Sequence, residues 1–228
     1  MGLTSPSLYR RVRTFLSRPP DPFLKSPRSL RKAADFLAAF PPPARVLNIG
    51  SGISPRRPGI INLDIDRFET VDLLGSALDL PIKDGVLDGV LIQGVLEHVE
   101  DPVRAVGEVH RVLKPGRLVY AEIPFMQGYH ASPRDFQRYT ILGIERLFGG
   151  FVLVEKGVQI GPASALAWIL REFLAIVLCG KSRWWYTKLL TGFGWIVAPI
   201  RYLDLFLDRS HFASQIASAF YYVGKKAS

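Results

Sequence analysis

The stretch VLNIGSGISPRRPGIINLDID, Val46 to Asp66, constrains this chain more than any other. It opens with a short apolar run stopped by Gly50, Ser51 and Gly52, the pattern of a buried strand entering a tight turn. A second apolar run, GIINLDI, ends near Asp64. Only residues 51–59 lie between Gly50 and Ile60, and they include Pro55 and Pro58. A parallel crossover with its helix needs at least about 10–12 residues, and prolines at these positions stop a continuous helix. Two parallel strands are therefore expected with their linking helix cut to a turn.

The flanking sequence supplies the rest of an alternating pattern. SPSLYRRVRTFLS has Ser5 as an N-cap and Pro6 at the first helical position, with Leu8, Val12, Phe15 and Leu16 on one face. SPRSLRKAADFLAAF predicts a second helix, broken by Pro41–Pro43. After GIINLDI, TVDLLGSALDLPIKDG reads as a short third strand, a loop and a turn at Asp84-Gly85, and VLDGVLIQG as a fourth strand. DPVRAVGEVHRVLKPG predicts a helix capped by Asp101, opened by Pro102 and closed at Lys114-Pro115-Gly116, before a fifth strand, RLVYAEIPF. Strands alternating with helices imply a parallel, doubly wound sheet.

Composition narrows the setting. A chain of 228 residues buries a real core as one elaborated domain. Its one cysteine, Cys179, permits neither an intramolecular disulfide nor a cysteine-based zinc site, and no metal is expected. A reducing, cytosolic setting follows, with no apolar secretory segment in the first 20 residues. The net charge of +9 is unevenly spread: residues 1–32 hold eight basic groups against Asp21, and residues 156–228 hold nine against three. Residues 33–155 hold twelve basic and sixteen acidic groups. Basic flanks around an acidic centre suit an anionic membrane surface better than a nucleic-acid groove.

The segments VLNIGSG, INLDI, LDLPIKDGVLDGVLIQGVLEHVEDP and EVHRVLKPGRLVYAEIPF resemble, in order, the motifs of class I S-adenosylmethionine-dependent methyltransferases of the type 11 group, over roughly residues 45–151. The resemblance implies an α/β, Rossmann-like, doubly wound and mostly parallel sheet, with S-adenosyl-L-methionine as cofactor. It implies that Asn48 and the turn Gly50, Ser51 and Gly52 meet the methionine part of the cofactor, glycine leaving room for the backbone to approach. Asp64 would accept hydrogen bonds from the ribose hydroxyls. Ala77 and Leu78 fall in the adenine-contacting loop, with Ser76 where the family usually has an acidic residue. Gln93 would face both cofactor and acceptor. His98 is a candidate catalytic group, set against a plainer reading in which Glu97 favours a helix N-terminus and His98 packs in that helix. The short first crossover resembles one branch of the group and deprives the cofactor carboxylate of a helix N-terminus. Arg56 or Arg57 could replace that charge, or both could be solvated.

PFMQGYHASPRDFQRYT, residues 124–140, occupies the place of an acceptor-facing loop and resembles a segment of type 11 enzymes associated with polysaccharides and glycolipids. His130 is the general-base candidate, since its ordinary pKa lies near neutrality. Asp135 is the candidate to orient it, and Tyr129, Arg138 and Tyr139 are candidates to bind the acceptor. The alternative is a loop held together by an Asp135–Arg138 pair.

FVLVEKGVQ and ASAFYYVGKK look like the family's sixth strand and final antiparallel strand, leaving residues 160–210 as a hydrophobic helical insertion between them. This insertion holds all four tryptophans and the basic-aromatic stretch KSRWWYTK. A monotopic or re-entrant helical pair is expected, against a dimerisation lid or a cap on the acceptor pocket. The chain thus divides into basic N-terminal helices (1–43), the core (44–159), the insertion (160–210), and a last strand with its tail (211–228). The expected function is methyl transfer to a glycan or lipid-linked acceptor at the cytoplasmic face of a membrane, with a homodimer possible. A non-catalytic protein on a degenerate methyltransferase fold is the alternative.

Overall fold

The computed structural model describes residues 19–41, 43–207 and 209–228, so the helix expected from Ser5 lies outside the described residues. The centre is a seven-stranded sheet in the order β3-β2-β1-β4-β5-β7-β6. Its strands are β1 (Val46–Ile49), β2 (Ile60–Asp64), β3 (Leu73–Leu74), β4 (Leu87–Gln93), β5 (Leu113–Pro124), β6 (Phe151–Ile160) and β7 (Ala219–Lys226). The first five run parallel, whereas β7 lies antiparallel between β5 and β6. Strand order reverses between β1 and β4, which places the characteristic crevice of such sheets at their carboxyl ends.

Side chains alternate across the strands, so each strand feeds two cores. Leu47, Val90, Val119 and Phe220 belong to the larger core, beneath α2 (Pro102–Val112) and α3 (Ile141–Leu147). Val46, Leu91, Tyr120 and Tyr221 belong to the smaller one, with Phe36 and Phe40 around α1 (Pro27–Ala38). The helix starts follow from their caps: Ser26 and Asp101 accept from Ser29 and Arg104 N–H, each ahead of a proline in the first turn. The α2 helix ends earlier than expected. Leu113 is already extended (ψ 138°) and begins β5, because Pro115 disfavours helical backbone at Lys114. A register irregularity between Leu87 and Gly89 absorbs the extra residues.

No helix separates β1 from β2, as the spacing requires, and the strands carry the reason. On the face where a crossover helix would pack, β1 and β2 present Asn48 and Asn62. Asn48 Nδ2 donates to Asn62 Oδ1 at 3.0 Å, and Asn62 Nδ2 donates to the carbonyls of Ser54 and Thr70 at 3.1 and 3.0 Å. A folded-back loop satisfies these buried amides in place of an apolar helix face.

Between β6 and β7 the chain leaves the sheet as α4 (Pro162–Cys179), α5 (Arg183–Val197), a 3₁₀ turn (Ala198–Leu203), α6 (Asp204–Leu207) and a last 3₁₀ turn (Ala213–Gln215). The excursion is closed at its base. Asp204, buried, accepts from Ala163 and Ser164 N–H at 2.8 and 2.9 Å and from the Ser164 hydroxyl at 2.6 Å. The first half of α4 is buried, but Phe173, Ile176, Val177 and Leu178 on its second half are exposed, as are Trp184, Trp185 and Ile196 of α5. The stretches Pro162–Cys179 and Arg183–Leu207 are long and apolar enough, by length and composition, to cross a membrane. Neither is free of charge: Arg171 and Glu172 pair in the middle of α4.

Candidate active site

The carboxyl ends of β1, β2 and β4 open onto a cleft of about 380 Å³. Its floor is the glycine turn. Gly50 has φ 65°, and a Cβ there would stand 2.3 Å from Val95 Cγ2, so only glycine passes. Asp64, 8% exposed, ends β2 and binds the turn, its Oδ2 accepting from Gly52 N–H at 2.7 Å and its Oδ1 from Asp66 N–H at 3.0 Å. A carboxylate has about four acceptor sites, so two bonds leave capacity for a ligand. Ala77, Leu78, Phe68 and Val99 supply apolar lining, and the Ser76 hydroxyl accepts from Leu78 N–H at 3.1 Å.

Of the residues expected to bind cofactor, Gly50, Gly52, Asp64, Ala77 and Leu78 line this cleft. Asn48 does not, because its amide is engaged by Asn62. Ser51 lies behind the turn, its hydroxyl buried without a hydrogen-bond partner. Arg56 and Arg57 are also absent from the lining. Arg56 takes neither of the two roles open to it, replacing the helix charge or standing free in solvent, but is tied to Asp72 at 2.9 Å and to the Val71 carbonyl, bracing the loop.

A second pocket, of about 280 Å³, adjoins the first, and Gly94 and His98 line both. Gln93 lines the second, together with Glu97, Glu122, His130, Lys25 and Phe23. Glu122 is fully engaged, accepting from Tyr120 OH (2.9 Å), Gln159 Nε2 (2.8 Å) and Lys25 Nζ (2.9 Å). Glu97, 2% exposed, differs: its Oε2 has no hydrogen-bond partner, and its Oε1 stands 3.8 Å from His98 Nε2 and 3.9 Å from His130 Nε2.

Both imidazoles are held by the opposite nitrogen. His98 Nδ1 lies 2.6 Å from the Arg134 carbonyl, and His130 Nδ1 lies 2.9 Å from the Gly128 carbonyl. Carbonyls only accept, so His98 Nδ1 carries hydrogen and its Nε2 lone pair turns toward Glu97, whereas His130 Nδ1 lies between the Gly128 carbonyl and the Arg138 guanidinium at 3.1 Å. The Glu97 carboxylate raises the His130 pKa above its ordinary value, with burial opposing.

Asp135 does not orient the His130 ring, since Nδ1 and Oδ2 are 3.8 Å apart. It accepts instead from the His130 backbone N–H at 2.7 Å and is gripped by Arg138, whose guanidinium holds its carboxyl down at about pKa 2. Arg138 spends its other donors on the carbonyls of Gln127, Gly128 and Gln137, which makes it a loop clamp with no free face for an acceptor. Tyr139 packs against the larger core, its hydroxyl pKa raised by burial. Tyr129 is 78% exposed, in a shallow depression beside the clamp.

Lys25 and Trp168 escape sequence reasoning, as does the meeting of Glu97 and His98 with His130. Glu97 and His98 are adjacent, but nothing in the spacing ties them to His130. Lys25 belongs to the N-terminal region. Trp168, in an apolar run of the insertion, packs 5.6 Å from the His130 ring and against Gly128, where a Cβ would meet its Nε1 at 2.4 Å. Phe23 covers the same indole at 4.5 Å.

Residues 59–121 match the profile of a family described as a methyltransferase domain, of the type 11 group. The chain is 39% identical over 88 residues to an uncharacterised 37.1 kDa protein in transposon TN4556 of Streptomyces fradiae, covering 37% of this chain and 24% of that one. It is 38% identical over 72 residues to a 2-phytyl-1,4-naphtoquinone methyltransferase of Synechocystis, covering 32% of this chain and 30% of the relative. It thus spans less than a third of the length of these curated relatives. Among solved structures, phosphoethanolamine N-methyltransferase 2 of Haemonchus contortus, in complex with S-adenosyl-L-methionine, superposes with a TM-score of 0.54 at 18% identity, covering 89% of this chain and 54% of that chain. That likeness is one of fold.

Proposed function

We propose that this chain, which has the class I methyltransferase fold and carries a type 11 methyltransferase domain, is an S-adenosylmethionine-dependent methyltransferase whose acceptor is a glycan or lipid-linked molecule at a membrane surface. The observation that carries the reading is the meeting of two pockets along Gly94 and His98 at the carboxyl ends of the strands. The first fits the cofactor. Its glycine turn exposes backbone, Asp64 keeps acceptor capacity for the ribose hydroxyls, and Ala77, Leu78 and Phe68 offer apolar surface for a purine. When bound, the cofactor supplies an electrophilic methyl group on a sulfonium.

The chain's own part is mostly positioning. Gly94 and His98 form the wall between the pockets, and Glu97, His98 and His130 form the polar surface that receives the acceptor's reacting oxygen. Trp168 and Phe23 shield that surface from water.

A lipid-borne acceptor is supported by the excursion beside the pocket. Its buried half carries Trp168 to the site, and its exposed half presents Phe173, Ile176, Val177, Leu178, Trp184 and Trp185. Aromatic residues beside Lys181, Arg183 and Lys188 suit a membrane interface. We place the protein at the cytoplasmic face on the same grounds. The Synechocystis relative, whose name carries a phytyl chain, is consistent with a lipid-like acceptor.

Two experiments test the reading. Calorimetry with S-adenosylhomocysteine is expected to show binding to the wild type that Asp64→Ala weakens sharply; equal affinities would remove Asp64 from the site. Flotation with anionic vesicles is expected to carry the protein to the lipid fraction, whereas a discrete soluble dimer would make the apolar face a subunit interface. The short crossover and Ser76 in place of the usual acid favour one second reading, a cofactor-binding protein without turnover. Cofactor binding with no methylation of any acceptor in a membrane extract would support it.

A further inference from the structure

We propose that Glu97, His98 and His130 bind one divalent transition-metal ion, Zn²⁺ by the character of the donors, with an open coordination position facing the pocket beside the cofactor cleft. One ligand atom from each residue lies within 4.8 Å of the others. The two Nε2 atoms face Glu97 Oε1 at 3.8 and 3.9 Å. These separations are too long for N–H···O hydrogen bonds, which close at about 2.7–3.2 Å. They are close to the roughly 3.4 Å between donors placed tetrahedrally at about 2.0–2.2 Å from zinc. The three ligand atoms, all within 4.8 Å of one another, close toward that spacing when the ion binds.

Three further observations point the same way. His98 donates its Nδ1–H to the Arg134 carbonyl, the outer-shell arrangement of a metal-bound imidazole, and the Nδ1 side of His130 is held by the Gly128 carbonyl and Arg138, so both rings present Nε2 to Glu97. Glu97 Oε2 is buried with no hydrogen-bond partner, and an uncompensated buried carboxylate is costly unless a cation meets it. Glu122 in the same pocket is the internal control, a buried carboxylate whose oxygens are satisfied by Tyr120, Gln159 and Lys25. The pocket therefore holds one glutamate provided for by the protein and one that is not. Two imidazoles and one carboxylate with an open side form a donor set characteristic of Zn²⁺ and of other divalent ions of similar softness.

His98 and Gly94 also line the cofactor cleft, so the open side of the ion faces the place where the two pockets meet. An acceptor oxygen on the ion would be fixed and acidified there. This role rests on the methyl-transfer reading; the binding of the ion does not.

Full-length protein stripped with a chelator and titrated with Zn²⁺ and Co²⁺ is expected to take up one ion, Co²⁺ giving the visible absorption of a four- or five-coordinate site. Glu97→Gln and His130→Ala are each expected to weaken binding by more than the roughly 10–100-fold that loss of an outer-shell partner costs, while still binding S-adenosylhomocysteine. X-ray absorption on the zinc-loaded wild type, which needs no variant, is expected to show two imidazoles and an oxygen. No bound ion, an ion retained equally by both variants, or a sulfur ligand from Cys179 would overturn the site. S-adenosylhomocysteine binding without an ion defeats this inference alone, whereas an ion without cofactor binding defeats the methyl-transfer reading alone.

Discussion

The two ends of this molecule solve opposite problems. Around β1 and β2 buried polar groups face one another: Asp64 binds the glycine turn, Asn48 binds Asn62, and Asn62 binds the loop that stands in for a helix. The excursion after β6 buries its polar anchor at its base, where Asp204 ties its far end to its start, and beyond that it exposes many large apolar side chains. The first region is finished by its own hydrogen bonds. The second leaves large apolar side chains such as Phe173, Ile176 and Trp184 exposed among the described residues, the surface on which the proposed membrane contact rests. Trp168 joins them, reaching from the excursion to the His130 ring.

The sharpest way to break this comparison is to remove one side of it. Replacing residues 161–216 with a short Gly/Ser turn is expected to abolish vesicle binding, leave a soluble protein and preserve S-adenosylhomocysteine binding. Loss of cofactor binding would mean that the two regions form one unit. Next in size is Asp64→Ala. It removes two charge-assisted ligand bonds, each about 1.5–3 kcal/mol, so cofactor affinity should fall by at least about 100-fold by calorimetry while vesicle binding is unchanged. Asp204→Ala probes the other side. It leaves the N–H groups of Ala163 and Ser164 buried without their acceptor, which costs about 3 kcal/mol. Hydrogen exchange should then quicken in α4 but not in β1 or β2. The smallest effect is expected for Gly50→Ala, which forces a side chain to φ 65° against Val95 and costs about 1–3 kcal/mol. Thermal melting should register it together with weakened cofactor binding.

The sequence exposed much of the cofactor side because that side is built from local rules. The glycine positions, the acidic strand end and the cap at Asp101 are set by neighbours a few residues away. The missing helix could be counted from Gly50 to Ile60, although its cause, asparagines pointing where an apolar face would be, was not drawn from Asn48 and Asn62. The acceptor side was less legible. Asp135, Arg138 and Tyr139 have the residue types of a binding site but serve the loop and core, a distinction set by which side chain reaches which carbonyl. Glu97 acquires its meaning only when the fold brings His130 to within 3.9 Å of it, and no spacing in the chain announces that contact.

The position of β7 has a consequence for how such a molecule is made. β5 and β6 never pair with each other; each pairs with β7, which arrives only after the whole excursion. Contacts between segments so distant in sequence form late, because the entropy of closing a long loop must be met first. During synthesis, two strand edges therefore wait unpaired while the most apolar part of the chain is already out of the ribosome, a state prone to aggregation. On the proposed membrane reading, early capture of that apolar part by lipid would shield it while β5 and β6 wait for the closing strand, so the surface proposed to anchor the protein would also chaperone its assembly.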